Sequence, residues 1–174
     1  MIDKKKNICV IPGTFDPVTN GHLDVILRAS ELFCEIYVVS FNNTAKKTMF
    51  SLEERQEMLK FACGGIKNVT VDATNVLLAD YAQSKNAGYI VRGVRNAADY
   101  EYEYGLSLIY RKIGNNIETV IFPAKSEYLY ISSAFVREMI LYQRDISEYV
   151  PEKVNEFIKS KFKELKVQKN IFGN

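Results

Sequence analysis

A chain of 174 residues, 47% apolar and 25% charged, is long enough to bury one core and too ordinary in composition to be disordered, collagenous or disulfide-built. Its formal charge of +2 lacks the basic excess of a nucleic-acid surface, so no nucleic acid is expected as a partner. No apolar run approaches the roughly 18 residues of a membrane span, and Lys4-Lys5-Lys6 leads only into residues 8–11 before Pro12, so no membrane partner, no signal peptide and a cytoplasmic location are expected.

Apolar runs rich in β-branched residues fall at 8–11, 36–41, 69–71, 89–91 and 119–122. Amphipathic segments between them predict helices over 21–33, 51–62, 78–85 and 99–112, and Ser51 with Glu54 forms a capping box at the second. Two more helices are predicted over 133–143 and 151–165, the latter opened by Pro151 and carrying one apolar stripe, Val154, Phe157, Ile158, Phe162 and Leu165. That stripe is expected to pack on the body of the same domain. Five nearly all-apolar strands joined by helical crossovers predict an α/β fold, a doubly wound parallel sheet of Rossmann-like type with C-terminal helices. One domain is expected over residues 1–165, with 166–174 as a loose tail. Cys9, Cys34 and Cys63 form no C-x-x-C pair and read as buried free thiols in a reducing compartment.

Ligands of such sheets sit outside the carboxyl ends of the strands, here the segments 12–22, 42–48, 72–78, 92–95 and 123–133. In the first of these, Pro12-Gly13-Thr14 forms a turn that lets backbone approach a ligand, and Asn20-Gly21-His22 heads the next helix. His22 is the sole histidine, which rules out a two-histidine metal site and leaves it as a lone donor or acid. Free N–H groups and the helix dipole favour an anion there, although a capping histidine is the plain alternative. Arg92-Gly93-Val94-Arg95 places two guanidiniums around a glycine after the fourth strand, a pattern suited to gripping phosphates. Lys46 and Lys47 add charge after the second strand, or simply make a solvated loop. Ser132 or Ser133 can cap the next helix and also suits a phosphate. Asp99, Glu101 and Glu103 suit the start of a helix by its dipole alone, and Asp99 and Glu103 share a face. There is no G-x-x-x-x-G-K-[ST], G-x-G-x-x-G or G-x-S-x-G string, so P-loop, dinucleotide-redox and serine-hydrolase chemistry lose support.

The string from Thr14 to His22, Arg92-Gly93-Val94-Arg95, the acidic stretch 99–103 and Ile131-Ser132-Ser133 together closely resemble the phosphopantetheine adenylyltransferases of bacterial coenzyme A biosynthesis, within the nucleotidylyltransferase superfamily. The likeness runs from about residue 8 to residue 160 and includes Met49-Phe50-Ser51-Leu52-Glu53-Glu54-Arg55. It implies transfer of the adenylyl group of ATP to 4′-phosphopantetheine, giving dephospho-coenzyme A and pyrophosphate by direct in-line attack. The attacking phosphate is already anionic and pyrophosphate leaves readily, so positioning and charge stabilisation suffice without a base.

By the same resemblance, His22 stabilises charge at the α-phosphate, and Thr14, Lys46 and Arg95 complete the catalytic set. Thr14 orients the nucleophile, Lys46 and Arg92 hold its phosphate, and Leu78 lines its arm. ATP contacts fall to Thr14, Phe15, His22, Gly93, Val94, Arg95, Glu103, Tyr128, Leu129, Tyr130, Ile131, Ser132, Ser133 and Ala134. Mg2+ shares the triphosphate charge with no protein metal site, coenzyme A is the feedback inhibitor, and a homohexamer is expected. Three positions depart from the family: Ala134 replaces a hydroxyl residue, Tyr110 an asparagine and Ile11 a tyrosine. The neighbouring alternative is a nicotinate mononucleotide adenylyltransferase, since Ser132 to Arg137 fits its serine-plus-arginine signature. A cytidylyltransferase lacks its R-T-x-G-[IV]-S-[ST] string here, and a non-catalytic nucleotide-binding protein is the alternative of another class.

Overall fold

A computed structural model describes residues 7–41 and 47–172, with side chains through residue 163. Five strands, β1 (Ile8–Gly13), β2 (Glu35–Phe41), β3 (Val69–Thr74), β4 (Tyr89–Val94) and β5 (Glu118–Pro123), form one parallel sheet in the order β3-β2-β1-β4-β5. The helices are α1 (Asn20–Leu32), α2 (Leu52–Cys63), α3 (Leu78–Ser84), α4 (Ala97–Ile113), α5 (Ser133–Leu141) and α6 (Glu152–Phe172). The expected doubly wound α/β architecture is therefore observed.

Side chains alternate across the strands, as the pleat requires. Cys9, Ile11, Ile36, Val38 and Val91 join a core with α1, α2, α5 and α6, whereas Val10, Val39 and Ile90 pack on the other face with Leu78, Tyr81 and Ala82 of α3. Within the first core, Val154 and Ile158 of α6 are buried, and Phe157 and Phe162 pack beside them, so these four residues of the apolar stripe cover their own domain; the Leu165 side chain lies outside the described residues.

Three local expectations change. The α4 helix starts at Ala97, because the Asn96 side chain accepts from the Asp99 N–H and caps it. The α6 helix runs to Phe172 instead of ending at Leu165, and residues 152–172 contain neither glycine nor proline to stop it. Cys9 and Cys63 are buried, and burial pushes their thiols up to about 12 and about 11, but Cys34 is exposed. Cys34 sits in the turn between α1 and β2, held by its backbone N–H on the Asn7 carbonyl, which leaves its side chain outside.

Between β1 and β4 the chain order reverses, since β2 and β3 grow to one side of β1 and β4 and β5 to the other. A crevice opens at such a switch point beyond the carboxyl ends of the strands.

Candidate active site

A cleft of about 530 Å³ occupies that crevice. Of the residues expected in the site, Thr14, Phe15, His22, Arg92, Gly93, Val94, Arg95, Glu103, Tyr128, Ile131, Ser132 and Ser133 line it together. Lys46 lies outside the described residues, and its neighbour Lys47 is exposed.

His22 is the third residue of α1, and it closes a reciprocal cap with Thr19. The Thr19 hydroxyl accepts from the His22 N–H at 3.4 Å, and the Thr19 backbone N–H donates to Nδ1 at 3.0 Å. A backbone N–H can only donate, so Nδ1 is unprotonated and the neutral ring carries its proton on Nε2. The cap, the plain alternative in the sequence, thus fixes the tautomer that leaves a donor for the cleft. Withdrawal from water, with the positive charges of Arg95 and Arg92, lowers the His22 pKa to about 4.

That shift has a sign. Between the ordinary value of 6.5 and about 4 the unfolded chain binds a proton that the folded chain refuses, so this contribution to stability is lost as pH falls through that window. Because the chain holds one histidine, its imidazole NMR resonances are unambiguous. They are expected to stay in the neutral Nε2–H form from pH 8 to pH 5.5; a midpoint near 6.5 contradicts the half-buried, cation-flanked setting.

The ring is supported from below. Phe15 is buried with a left-handed backbone, φ 50°, and meets His22 edge-on at 5.2 Å between centroids. Its own ring lies over Gly13, where a Cβ would come within 2.7 Å of it, so the close approach requires glycine. Gly93 is similarly tight, a Cβ there meeting Val25 Cγ2 at 3.0 Å.

Both arginines are held by carboxylates of α4. Arg92 Nε and Nη2 donate to Glu103 at 2.8 and 2.5 Å, and its Nη1 donates to the Pro12 carbonyl at 2.7 Å. Arg95 donates through Nε to Asp99 at 2.9 Å, and this contact lowers the Asp99 pKa. The acidic stretch therefore does more than favour a helix start: it fixes two guanidinium planes while leaving each some unused N–H donors.

In the sequence Asp16 and Arg55 stand only as members of their strings, and Arg137 only in the signature of the alternative adenylyltransferase. Asp16 is buried and accepts the Met49 and Phe50 N–H groups, one on each oxygen, both at 2.9 Å. Arg137 donates to the Asp16 carbonyl at 2.6 Å, and its guanidinium lies 3.5 Å from the carboxylate. Arg55, fully buried, donates through Nη1 to the Thr14 carbonyl at 2.7 Å and to Ser40 Oγ at 3.0 Å. These groups clamp the turn after β1 to the segment after β2 and to α5. The one sequence clue is an acid set between Phe15 and Pro17 in an apolar turn.

At α5, the Ser132 side chain caps Phe135 N–H, and Ser133 Oγ donates to the Pro17 carbonyl at 2.8 Å, so both hydroxyls have partners inside the chain. Four expected contacts do not line the cleft. Leu78 is buried in the core on the α3 side of the sheet, because the start of α3 turns its apolar residue inward. Leu129 and Tyr130 follow the short 3-10 turn Ser126–Tyr128 and are 47% and 64% exposed, and Ala134 points out from the first turn of α5. Of the departing positions, Ile11 lines the cleft and Tyr110 packs on the α3 side.

Asp16, Asp99 and Glu103 each already hold amides or guanidiniums, and among the described residues no three His, Cys, Asp or Glu side chains cluster to hold a cation. No helix among the described residues is long and apolar enough to cross a membrane.

A five-stranded parallel sheet in the order β3-β2-β1-β4-β5, with a cationic cleft at its switch point, defines a Rossmann-like fold. Residues 10–139 match the Cytidylyltransferase-like family, and the chain belongs to that family. In structure it is similar to a putative nicotinate-nucleotide adenylyltransferase from Vibrio parahaemolyticus, with TM-score 0.66 and 20% identity over 87% of this chain and 97% of that one. It is also similar to Plasmodium falciparum nicotinic acid mononucleotide adenylyltransferase complexed with APC, with TM-score 0.65 and 17% identity over 90% and 96% of the two chains.

Proposed function

We propose that this protein is a nucleotidyltransferase that moves the adenylyl group of ATP to 4′-phosphopantetheine, releasing pyrophosphate. The observation that carries the reading is the meeting of one Nε2-protonated imidazole and two carboxylate-held guanidiniums in a single cleft. An oxygen of the acceptor phosphate attacks the α-phosphorus as the bond to the pyrophosphate oxygen breaks, so no proton has to move and no covalent enzyme intermediate forms. The His22 Nε2–H donates to an α-phosphate oxygen as charge gathers there, and Arg95 and Arg92 offer their unused N–H groups to the two phosphate chains. The Thr14 hydroxyl orients the nucleophile, and Lys46 joins Arg92 on its phosphate. Mg2+ enters with the triphosphate. By the same resemblance the enzyme is a cytoplasmic homohexamer inhibited by coenzyme A.

A second reading is favoured by Arg137, which lines the cleft five residues after Ser132, and by the structural neighbours: transfer to nicotinate mononucleotide. Pyrophosphate release measured with ATP, magnesium and a panel of acceptors separates the two. Turnover is expected with phosphopantetheine and not with nicotinate mononucleotide or, with CTP as donor, with any acceptor. The reverse acceptor preference moves the assignment to the second reading, and ATP binding without turnover on either makes the protein a binding module.

A further inference from the structure

One wall of the cleft is held by charge and not by core. None of residues 123–130 is buried, yet Ala124 and Tyr128 of this segment line the cleft. A stretch without a buried side chain has little of its own to fix its distance from the rest of the fold. The α1 helix fixes it instead. Gly21, Asp24 and Arg28 share one face of that helix, at spacings of three and four, and each meets the segment in turn. A Cβ at Gly21 would lie 3.5 Å from Tyr128 Cβ, Lys125 Nζ donates to Asp24 Oδ1 at 2.7 Å, and Arg28 Nη1 donates to the Pro123 carbonyl at 2.9 Å. Helix and segment therefore run side by side in opposite directions.

Asp24 is the centre of this seam. Its carboxylate is only 6% exposed, and its second oxygen accepts from Arg28 at 3.2 Å. It thus holds the segment directly at Lys125 and, through Arg28, at Pro123. Burying a carboxylate is costly, and both cations are partly in water and could do without it. The segment could not. The space that the seam bounds lies between Gly21 and Val25 of α1, Gly93 and Val94 of β4, and Ala124 and Tyr128. These small or apolar groups leave a flat-sided slot that suits a planar base. Gly93 already comes so near Val25 that a Cβ would sit 3.0 Å from its Cγ2, so two sides are closely packed and the third sets the width.

We propose that Asp24 is a positioning residue for the nucleotide, holding the segment after β5 at the distance from α1 that a bound base fills. It does not line the cleft itself and acts through Lys125 and Arg28. The inference rests on the reading that this cleft takes a nucleotide donor, and on neither acceptor.

The test is calorimetric titration of the full chain with ATP and magnesium in the absence of acceptor, with pyrophosphate, which has no base, as the second probe. Asp24→Asn keeps the shape of the side chain but turns an amide nitrogen toward one of the two cations. It is expected to weaken ATP roughly tenfold while pyrophosphate stays within about twofold, and in turnover the loss falls on KM for ATP more than on kcat. The sign separates wall from charge: deleting a negative group near the cleft would by itself tighten both polyanions. Lys125→Met is expected to weaken ATP roughly three- to fivefold, and to add nothing to Asp24→Asn, because both cut the same tie. An ATP affinity within about twofold of wild type in a folded Asp24→Asn, an equal loss for pyrophosphate, or losses that multiply in the double variant overturns the role of Asp24. A lower melting temperature alone is what a merely structural acid gives. If the wild type binds CTP and not ATP, the donor reading fails and the same series with CTP decides Asp24; if it binds neither, both fail. Should Asp24→Asn not fold, Lys125→Met, at a half-exposed position, decides with the same two probes.

Discussion

Replacing His22 with alanine is expected to lower kcat by roughly two to three powers of ten, the scale for losing one transition-state donor. KM for ATP changes little, since the imidazole is asked to act where charge develops and not on the ground state. Alanine also removes the N3 half of the α1 cap, so stability falls together with rate. His22→Glu separates these effects: its carboxylate can accept the Thr19 N–H and keep the cap, but it offers the cleft no N–H donor. Its melting temperature should match the wild type while kcat stays depressed, measured as pyrophosphate release with saturating phosphopantetheine. Wild-type turnover in either variant would remove His22 from the mechanism.

Asp16→Ala should be the most destabilising single change in the cleft wall, by about 3 to 5 kcal/mol in urea unfolding, the scale for stripping a buried charged group from its partners. It leaves the Met49 and Phe50 N–H groups without an acceptor and Arg137 without its carboxylate, at a position that is itself almost closed to solvent. Asp16→Asn retains an acceptor for one amide and should lose less. The rate should fall as well, because the carboxylate ties the Thr14-Phe15-Asp16 turn to the segment that follows Lys46. A loss within about 0.5 kcal/mol for the alanine variant would show that water replaces the carboxylate and that the clamp is dispensable.

The outline of this protein was legible residue by residue. Short, nearly all-apolar runs rich in β-branched residues gave the strands, spacing of three and four gave the helices, and the turn residues before His22 put it at a helix head. Those signals act over a few residues, so any stretch of chain carries them whole. The site was legible in part: the string to His22 and the Arg92 to Arg95 pair do meet in one cleft. Leu78 shows the limit. It follows a strand and precedes a helix like the true lining residues, yet only the pitch of α3 decides that it faces the core.

What only the tertiary structure decided is which group holds which. Sheet order places β1 beside β4, and that adjacency lets Arg92 reach the carbonyl of Pro12, 80 residues away, while α4 folds back to bring Glu103 against the same guanidinium. Arg137 meets Asp16 across 121 residues for the same reason. Composition and period say what kind of element each segment becomes, because those preferences are local. Partners across the fold are selected by strand order and register, which satisfy buried charges only once the whole sheet is assembled.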